Sequence, residues 1–247
     1  MSPSRRRLVV TADDFGLCEQ VNEGVADAHI HGIVTAASLM VRRQAAVAAA
    51  ALSADLPRLS MGLHLDLGEW EYCEGEWQQI DFVVDVSDEL AVRDAIDQQI
   101  GAFVRMVGRA PTHLDGHQHV HLSEPARSIV AATSESLGVP VRHGAAPYVG
   151  GFYGQTGTGE PRPERITTSA LVAILDSLPQ GLSELGCHPG RNMVAAISRY
   201  GSERDSELTV LCDPNVKTAI RDFDIELCAP GASRSVIDRD REGSMTD

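Results

Sequence analysis

The sequence predicts an α/β protein in which helices flank a parallel β-sheet. Short apolar runs of strand length alternate with longer segments of helical periodicity, and this alternation continues over most of the 247 residues. The length suits one large domain or two small ones. The first strand is not followed by a GxGxxG fingerprint, and the sequence has no GxxxxGK[ST] loop. The dinucleotide-binding and P-loop classes are therefore excluded at the level of motifs.

The first half of the chain supplies three strands, each followed by a helix. Apolar runs predict strands at residues 7–14, 33–41 and 59–67, and helical spacing predicts helices at 19–31, 44–54 and 88–107. Gly32 closes the first of these helices. Between the third strand and the third helix we expect a polar loop, which holds Trp70 and Trp77.

The second half continues this pattern with more turn-forming residues. We expect strands at 112–119, 139–144, 182–190 and 225–229, and helices at 124–137, 202–213 and 213–223. Thr167 is expected to cap a further helix that runs to Ser177. The glycine-rich stretch 148–166 is interpreted as a loop, and its part at 149–160 as a lid or rim. The polar tail from Gly231 is expected to pack loosely.

The composition excludes several classes of partner. A net charge of −14 without a basic stripe argues against nucleic acid, whose phosphates would be repelled. No apolar run approaches the roughly 20 residues that cross a bilayer. The short apolar run at the N-terminus meets Asp13 and Asp14, which is not typical of a signal peptide. Five widely spaced cysteines without a CxxC pair predict free thiols in a reducing cytoplasm.

Side chains that can bind a metal stand where four of the predicted strands end. They are Asp13 and Asp14, His64 and Asp66, Asp115 with His117 and His119, and finally His188. In parallel α/β architectures the catalytic residues project from the carboxyl ends of the strands. We therefore expect these groups to converge on one pocket.

A hydrolytic metal site needs about three protein ligands and a position left for water. The stretch PTHLDGHQHVHL, residues 111–122, offers four histidines, but their spacing does not choose among them. The adjacent Asp13 and Asp14 point in different directions if the chain is extended. One of them can therefore bind the metal while the other acts as a general base beside it.

Four motifs, in this order and at these separations, resemble those of the YdjC-like carbohydrate deacetylases: TADDFGL, GLHLDL, PTHLDGHQHVHL and CHPG. That family includes chitooligosaccharide deacetylases and deacetylases associated with hopanoid biosynthesis. The resemblance extends over residues 7–228, and its most specific part is the combination of TADDFG with HLDGHQHVH. It implies a single-domain, distorted (β/α) TIM-like barrel over residues 1–230, with the active site at the carboxyl ends of the strands, followed by the tail at 231–247.

The resemblance also implies the chemistry of the site. One divalent cation, Mg²⁺ or Zn²⁺ with Mn²⁺ and Co²⁺ as further candidates, would be held by Asp14, His64 and His117. Two imidazoles and a carboxylate suit zinc, cobalt or manganese at least as well as magnesium, which favours oxygen ligands. Asp13 would be the general base and His188 the general acid. The implied reaction removes the N-acetyl group from an amino sugar and releases acetate.

The remaining polar and aromatic residues near these motifs are candidates for substrate binding. This set comprises Asp66, Asp115, His119, Arg142, Tyr148, Phe152 and Tyr153, with His143 as an alternative to Arg142. His119 and His121 either orient the site or contact sugar hydroxyls, and Asp115 is expected to orient a histidine. Because aromatic residues make up only 4% of the chain, we expect a small substrate and not a polymer.

Two other functions fit the same residues. One is a different metal-dependent hydrolase, acting on a phosphate ester or a cyclic amide. The other is a barrel that binds a sugar or a metal without turnover, although a pure binding protein would need neither Asp13 nor His188. The expected partner is a small N-acetylated sugar, with no nucleic acid and no membrane span, and the resemblance is compatible with a homodimer.

Overall fold

The computed structural model describes residues 5–193 and 200–231. The strands in these two ranges are β1 (Arg6–Phe15), β2 (Ala36–Leu39), β3 (Ser60–Leu65), β4 (Gly68–Cys73), β5 (Glu76–Phe82), β6 (Leu114–Gly116), β7 (Tyr148–Val149), β8 (Gly181–Cys187) and β9 (Ile225–Leu227). The α-helices are α1 (Glu19–Ile30), α2 (Ala46–Ala54), α3 (Glu89–Val107), α4 (Ala126–Leu137), α5 (Thr168–Asp176), α6 (Ser202–Leu211) and α7 (Pro214–Asp222). Short 3₁₀ helices lie at His117–Leu122 and Pro163–Arg165.

Seven of these strands form one parallel sheet in the order β6-β3-β2-β1-β8-β7, and β9 also pairs with β1. β9 pairs with the first residues of β1, from Arg6 to Leu8, whereas β2 pairs with the later ones. Because the neighbouring strands are all parallel, their carboxyl ends lie at the same edge. This curled sheet with its helices confirms the predicted α/β, TIM-like fold.

β1 lies in the middle of the sheet and is buried along most of its length. Every residue from Leu8 to Phe15 is buried, as expected for a central parallel strand that is covered on both faces. Such a strand tolerates polar side chains only when they find partners inside the fold. Thr11, Asp13 and Asp14 are the polar residues of this run, and each has a hydrogen-bonded or ionic partner.

The predicted helices agree closely with the observed ones. α3 begins after Asp88, whose carboxylate accepts hydrogen bonds from the backbone N–H groups of Leu90 and Ala91. It ends at Gly108, which has a left-handed φ of 78°. The predicted cap of α5 is also confirmed, because Thr167 Oγ1 accepts a hydrogen bond from the backbone N–H of Ala170.

The segment that holds both tryptophans is a β-hairpin, so the prediction of a polar loop is wrong. β4 and β5 pair in antiparallel fashion, with Tyr72 opposite Trp77. Trp77, Ile80 and Phe82 on β5 are exposed. Because this strand has no consistently buried face, its sequence lacks the regular alternation that identifies a half-buried strand.

Of the two strands predicted around the histidine-rich stretch, one is shorter than expected and the other is absent. The strand expected at 112–119 ends at Gly116, because Gln118 and His119 take left-handed φ values of 49° and 57° and the chain enters a 3₁₀ helix. Residues 139–144 form no strand, since Val141 makes only an isolated parallel bridge to Leu114.

Three predictions from the composition can be compared with the structure. All five cysteines are free thiols. Among the described helices, none is long and apolar enough to span a bilayer. The polar tail predicted from Gly231 onward lies outside the described residues, apart from Gly231 itself.

Candidate metal centre and active site

The carboxyl edge of the parallel sheet brings the predicted site residues together. They come from four strands and the turns that follow them: Asp13 and Asp14 near the end of β1, His64 on β3, Asp115 on β6 with His117 directly after it, and His188 directly after β8. Residues that are distant in sequence therefore meet at one place, as the parallel topology predicts.

Asp14, His64 and His117, called the ligand trio below, form a compact group of potential metal ligands. Oδ1 of Asp14 lies 3.0 Å from Nδ1 of His117 and 3.4 Å from Nε2 of His64. All three ligand atoms lie within 4.8 Å of one another. Asp14 has a φ of 62°, a left-handed conformation that is uncommon outside glycine and is often found at functional sites.

Burial and mutual contacts set the charges of the ligand trio. Burial opposes the ionised form of Asp14, but Arg204 and His117 hold the pKa of this carboxyl well below its usual range. Burial also opposes the charged imidazoles. Even so, Asp115 raises the pKa of His64 to about 10, and Asp14 raises the pKa of His117 to about 9. A site that attracts positive charge in this way fits a divalent cation, which would replace the two imidazole protons.

A second group of potential ligands, Asp13, His64 and Asp115, lies beside the ligand trio. Its two carboxylates are already bound by Arg142, whose nitrogens lie 2.6 Å from Oδ2 of Asp13 and 2.9 Å from Oδ2 of Asp115. Because this buried guanidinium binds both carboxylates of the second group, it would repel a metal cation there. In the ligand trio Arg204 contacts only Oδ2 of Asp14, and Oδ1 faces the two histidines, so the trio is the better fit to a metal.

The buried carboxylate of Asp115 binds His64 on the side of the ring that points away from Asp14. Nδ1 of His64 donates a hydrogen bond to Oδ1 of Asp115 at 2.8 Å. Asp115 also accepts a hydrogen bond from Ser38 Oγ at 2.6 Å. This pairing leaves Nε2 of His64 directed at Asp14, which is the usual way in which a carboxylate orients a metal-binding histidine.

Asp13 lies next to the ligand trio in a different electrostatic setting. Its two oxygens accept hydrogen bonds from the terminal nitrogens of Arg142 at 2.6 and 2.7 Å. Burial raises the pKa of Asp13, but Arg142 outweighs burial, and the pKa falls below its ordinary value. Asp13 is therefore an ionised carboxylate at neutral pH, and its Oδ2 lies 3.7 Å from Nε2 of His188.

The structure contradicts the assignment of Arg142 to substrate binding. Its side chain is 1% exposed, and its guanidinium contacts Asp13, Asp115 and Glu184. Arg142 partly offsets the charge of these carboxylates and, because they come from three different strands, fixes the strand ends relative to one another. These three contacts are internal to the protein.

Three more residues assigned to substrate binding are buried, and one of them, Asp115, contacts His64 and Arg142 instead. Phe152 is 1% exposed and packs in the hydrophobic core, so its ring offers no face to a sugar. Asp66 is equally buried, and its Oδ2 lies 2.9 Å from Nε of Arg43. Phe152, on the glycine-rich stretch, and Asp66, just after β3, both have side chains that point into the protein. We therefore remove them from the substrate-binding candidates.

His188 is partly buried and is held by Glu207 on α6, a carboxyl group whose pKa burial raises to about 8. Its backbone N–H donates to Oε2 of Glu207 at 2.5 Å, and its Nδ1 lies 3.9 Å from Oε1 of the same side chain. Burial lowers the pKa of His188 to about 4, so the imidazole is neutral at pH 7. The ring of Tyr153 contacts it edge-on, with centroids 5.2 Å apart, and stacks on Tyr200 at 4.5 Å.

A second cluster of rings consists of His119, His121, His143 and Tyr148. The contacting rings have centroids between 4.5 and 6.1 Å apart. Burial lowers the pKa of His119 and of His121 to about 4, so both imidazoles are neutral. Nδ1 of His119 and both ring nitrogens of His121 have no hydrogen-bond partner among the described residues. Within those residues, this cluster does not join either group of potential metal ligands.

Sequence reasoning missed three ionisable residues of the site. Arg204 on α6 contacts Oδ2 of Asp14 at 2.5 Å, Glu207 binds the backbone of His188, and Glu69 on β4 contacts His117. The sequence of α6 does indicate Arg204 and Glu207. Its charged residues are spread around the helix, so some of them must face the interior. Glu69 is the second residue after the GLHLDL motif, but nothing in its spacing marks it as part of the site.

Comparison with known proteins places these motifs in a family. A family model described as "YdjC-like protein" matches residues 7–222, which is most of the chain. The chain belongs to the YdjC-like family. The match includes β1, β3, β6 and β8, and with them the ligand trio, Asp13 and His188 of this YdjC-like protein.

Curated relatives align with the YdjC-like protein over most of its length. A chitooligosaccharide deacetylase of Serratia marcescens is 30% identical, and the alignment covers 86% of this chain and 93% of that protein. A carbohydrate deacetylase of Homo sapiens is 29% identical, with 93% and 91% covered. A solved structure from Enterococcus faecalis, whose name refers to cellobiose-phosphate cleavage, has a TM-score of 0.75 at 22% identity. It covers 91% of this chain and 97% of its own, and it shows the shared fold.

Proposed function

We propose that this YdjC-like protein is a metal-dependent hydrolase that removes the N-acetyl group from an amino-sugar substrate. The observation that carries the proposal is the pairing of Asp13 and His188, 3.7 Å apart, beside the ligand trio. A cation site, a base and an acid are the three elements that hydrolysis of an amide requires. The names of the two curated relatives, both deacetylases, support the same reaction.

The ligand trio would hold the cation through one oxygen and two nitrogens. When bound, a divalent cation polarises the amide carbonyl and makes water a better nucleophile at neutral pH. Oδ1 of Asp14, Nε2 of His64 and Nδ1 of His117 are the atoms that face one another. This donor set suits Zn²⁺, Co²⁺ or Mn²⁺ at least as well as Mg²⁺.

Asp13 would accept the proton of the attacking water. Its carboxylate is ionised, and two hydrogen bonds from Arg142 fix its orientation. As the bond between the water oxygen and the acyl carbon forms, one O–H proton moves to Asp13. A base that is already oriented needs little rearrangement for this step.

His188 would deliver a proton to the departing amine. Its pKa of about 4 leaves the imidazole neutral at pH 7, so it must first receive a proton. Oδ2 of Asp13, 3.7 Å from Nε2 of His188, can return the proton that came from water. As the C–N bond breaks, that proton passes from His188 to the amine nitrogen, and acetate and a free amine leave the site.

Partly exposed rings near these groups would contact the sugar. Tyr153 borders His188, whereas His119 and Tyr148 belong to the second ring cluster. Aromatic faces of this kind pack against the apolar face of a sugar ring, and the neutral His119 can also hydrogen-bond to hydroxyl groups. A small substrate and a cytoplasmic location remain our predictions, and the family resemblance is compatible with a homodimer.

Acetate release tests the proposal directly. The chain is loaded separately with Zn²⁺, Mn²⁺, Co²⁺ or Mg²⁺ and offered N-acetylated mono-, di- and lipid-linked sugars. We expect acetate from at least one combination.

In Asp13→Asn the kcat should fall by about 10²- to 10⁴-fold, the usual contribution of a general base, without loss of bound metal. The exposed Asp85 provides a control, since Asp85→Asn should keep the wild-type rate.

The other outcomes discriminate among the functions. Full activity of metal-loaded Asp13→Asn would show that another group is the base. Phosphate release from an ester, without acetate release from any sugar, would favour a different metal-dependent hydrolase. Binding of sugar without turnover under every metal would favour a non-catalytic protein.

A further inference from the structure

His117 uses both of its ring nitrogens. Nδ1 lies 3.0 Å from Oδ1 of Asp14, and Nε2 lies 3.0 Å from Oε2 of Glu69. The two contacts lie on opposite sides of the imidazole. The ring is therefore fixed between the centre of the ligand trio and a carboxylate on the hairpin formed by β4 and β5.

The surroundings of His64 show the same arrangement with the nitrogens exchanged. Its Nε2 faces Oδ1 of Asp14 at 3.4 Å, and its Nδ1 donates to Asp115 at 2.8 Å. Each histidine of the ligand trio thus has a carboxylate on the nitrogen that points away from Asp14. The two carboxylates differ in setting, because the side chain of Asp115 is fully buried and that of Glu69 is 32% exposed.

Several contacts fix Glu69 although it stands on a hairpin outside the main sheet. Arg43 lies 3.4 Å from Oε2 of Glu69, and it also contacts Asp66 and Asp81. Gln118, the neighbour of His117, donates a hydrogen bond to Oε1 of Glu69 at 3.3 Å. The contacts to Glu69 come from Arg43, between β2 and α2, and from the turn after β6, so the carboxylate is held from two sides.

The hairpin is also attached through its backbone next to Glu69. The side-chain amide of Gln118 accepts a hydrogen bond from the N–H of Trp70 at 2.9 Å and donates one to the carbonyl of Trp70 at 2.8 Å. The side chain of Gln118 thus acts like a short neighbouring strand. This attachment places the hairpin and His117 in fixed register.

We propose that Glu69 is a positioning residue of the metal centre and that it orients His117 for the cation. The inference rests on the proposed function, because it assumes that the ligand trio binds a metal. An acceptor on Nε2 fixes the tautomer in which the lone pair of Nδ1 points toward Asp14, and it increases the basicity of that nitrogen. The hairpin of β4 and β5 then supplies part of the metal centre.

The test is the affinity of the full, metal-free chain for Co²⁺, followed by the visible absorption of the bound ion. For Glu69→Ala we expect the Kd for Co²⁺ to rise by about 10- to 100-fold, as is usual when such an acceptor is removed. Glu69→Gln keeps an acceptor oxygen, so its Kd should rise less. A high concentration of Co²⁺ should restore acetate release in Glu69→Ala, because Glu69 does not touch the reacting atoms.

Asp81→Asn is the matched control. Asp81 lies on the same hairpin and contacts the same Arg43, at 3.6 Å, but the hydrogen bond to His117 comes from Glu69. We expect the Kd of Asp81→Asn to stay within about twofold of the wild-type value, far from the effect of a lost acceptor. An equal rise in both variants would overturn the inference, because attachment of the hairpin would then explain the loss. A wild-type Kd in Glu69→Ala would overturn it as well.

His117→Ala separates this inference from the proposed function. If His117→Ala loses Co²⁺ while Glu69→Ala binds it as the wild type does, only the role of Glu69 is overturned. If His117→Ala itself binds Co²⁺ with wild-type affinity, the ligand trio is wrong. The metal centre of the proposed function and the inference built on it then fail together.

Discussion

Asp13 and Asp14 are neighbours in sequence, but they have separate partners. Asp13 is bound by Arg142 from behind, whereas Asp14 faces the two histidines and Arg204. The left-handed φ of Asp14 separates the two carboxylates. The chain can therefore place the proposed base and the proposed metal ligand in adjacent positions, each with its own partners.

Arg142 should matter for stability as well as for the site. In Arg142→Met, the buried carboxylates of Asp13 and Asp115 lose the positive charge that they share. We expect the free energy of unfolding to fall by about 3–5 kcal/mol, the usual effect of breaking a buried ion pair from one side. Urea unfolding at neutral pH, followed by circular dichroism, measures this loss.

Arg93→Met is the control for the loss of an arginine as such. Arg93 forms an exposed pair with Glu89 at 3.0 Å on α3, and such pairs contribute less than about 1 kcal/mol. If Arg142→Met is no more destabilising than Arg93→Met, the buried network does not hold the strand ends together as we describe.

The sequence is informative about some site residues and silent about others. The motif resemblance points to Asp14, His64 and His117, and the structure brings these three together. It gives no indication that Arg142 binds Asp13, because the two residues are 129 positions apart and only the folded sheet brings them into contact. The same holds for Glu69, which is 48 positions from His117. Long-range pairing of charges has no local pattern.

Among the secondary-structure elements, those with a buried face could be predicted and the hairpin could not. α3 shows helical spacing because it packs one side against the core. β4 and β5 form a separate two-stranded sheet and leave apolar residues of β5 exposed. Periodicity reports burial and not hydrogen bonding, so a hairpin that stands outside the core resembles a loop.

The N-terminus of α3 provides a prediction at the level of the element. Asp88 accepts hydrogen bonds from the N–H groups of Leu90 and Ala91, which otherwise have no partner within the helix. Asp88→Ala should lower the free energy of unfolding by about 1 kcal/mol. Thermal unfolding measures the change, and the rate of acetate release should not alter.

Asp94→Ala is the matched control on the same helix. Asp94 is exposed within α3 and lies beyond the capping position. Because alanine has the higher helix propensity, this substitution should not destabilise the protein. Equal destabilisation by Asp88→Ala and Asp94→Ala would show that the cap contributes nothing.

In the whole molecule, the alternation of strands and helices predicts the class of the fold but not the order of its strands. The sheet order β6-β3-β2-β1-β8-β7 and the pairing of β9 with β1 depend on packing between distant segments. The barrel-like curvature was implied by the resemblance and not by periodicity. Once the strands are parallel, however, their carboxyl ends share one edge, and the polar residues found there must meet.

The metal content of single-histidine variants tests the central claim most directly. After loading with Zn²⁺ and desalting, the wild type should retain about one ion per chain, as expected for a site with three protein ligands. His117→Ala should lose this ion, because it removes a member of the ligand trio, whereas His119→Ala and His121→Ala should keep it. If His119→Ala or His121→Ala loses the ion and His117→Ala retains it, the metal centre described here is wrong.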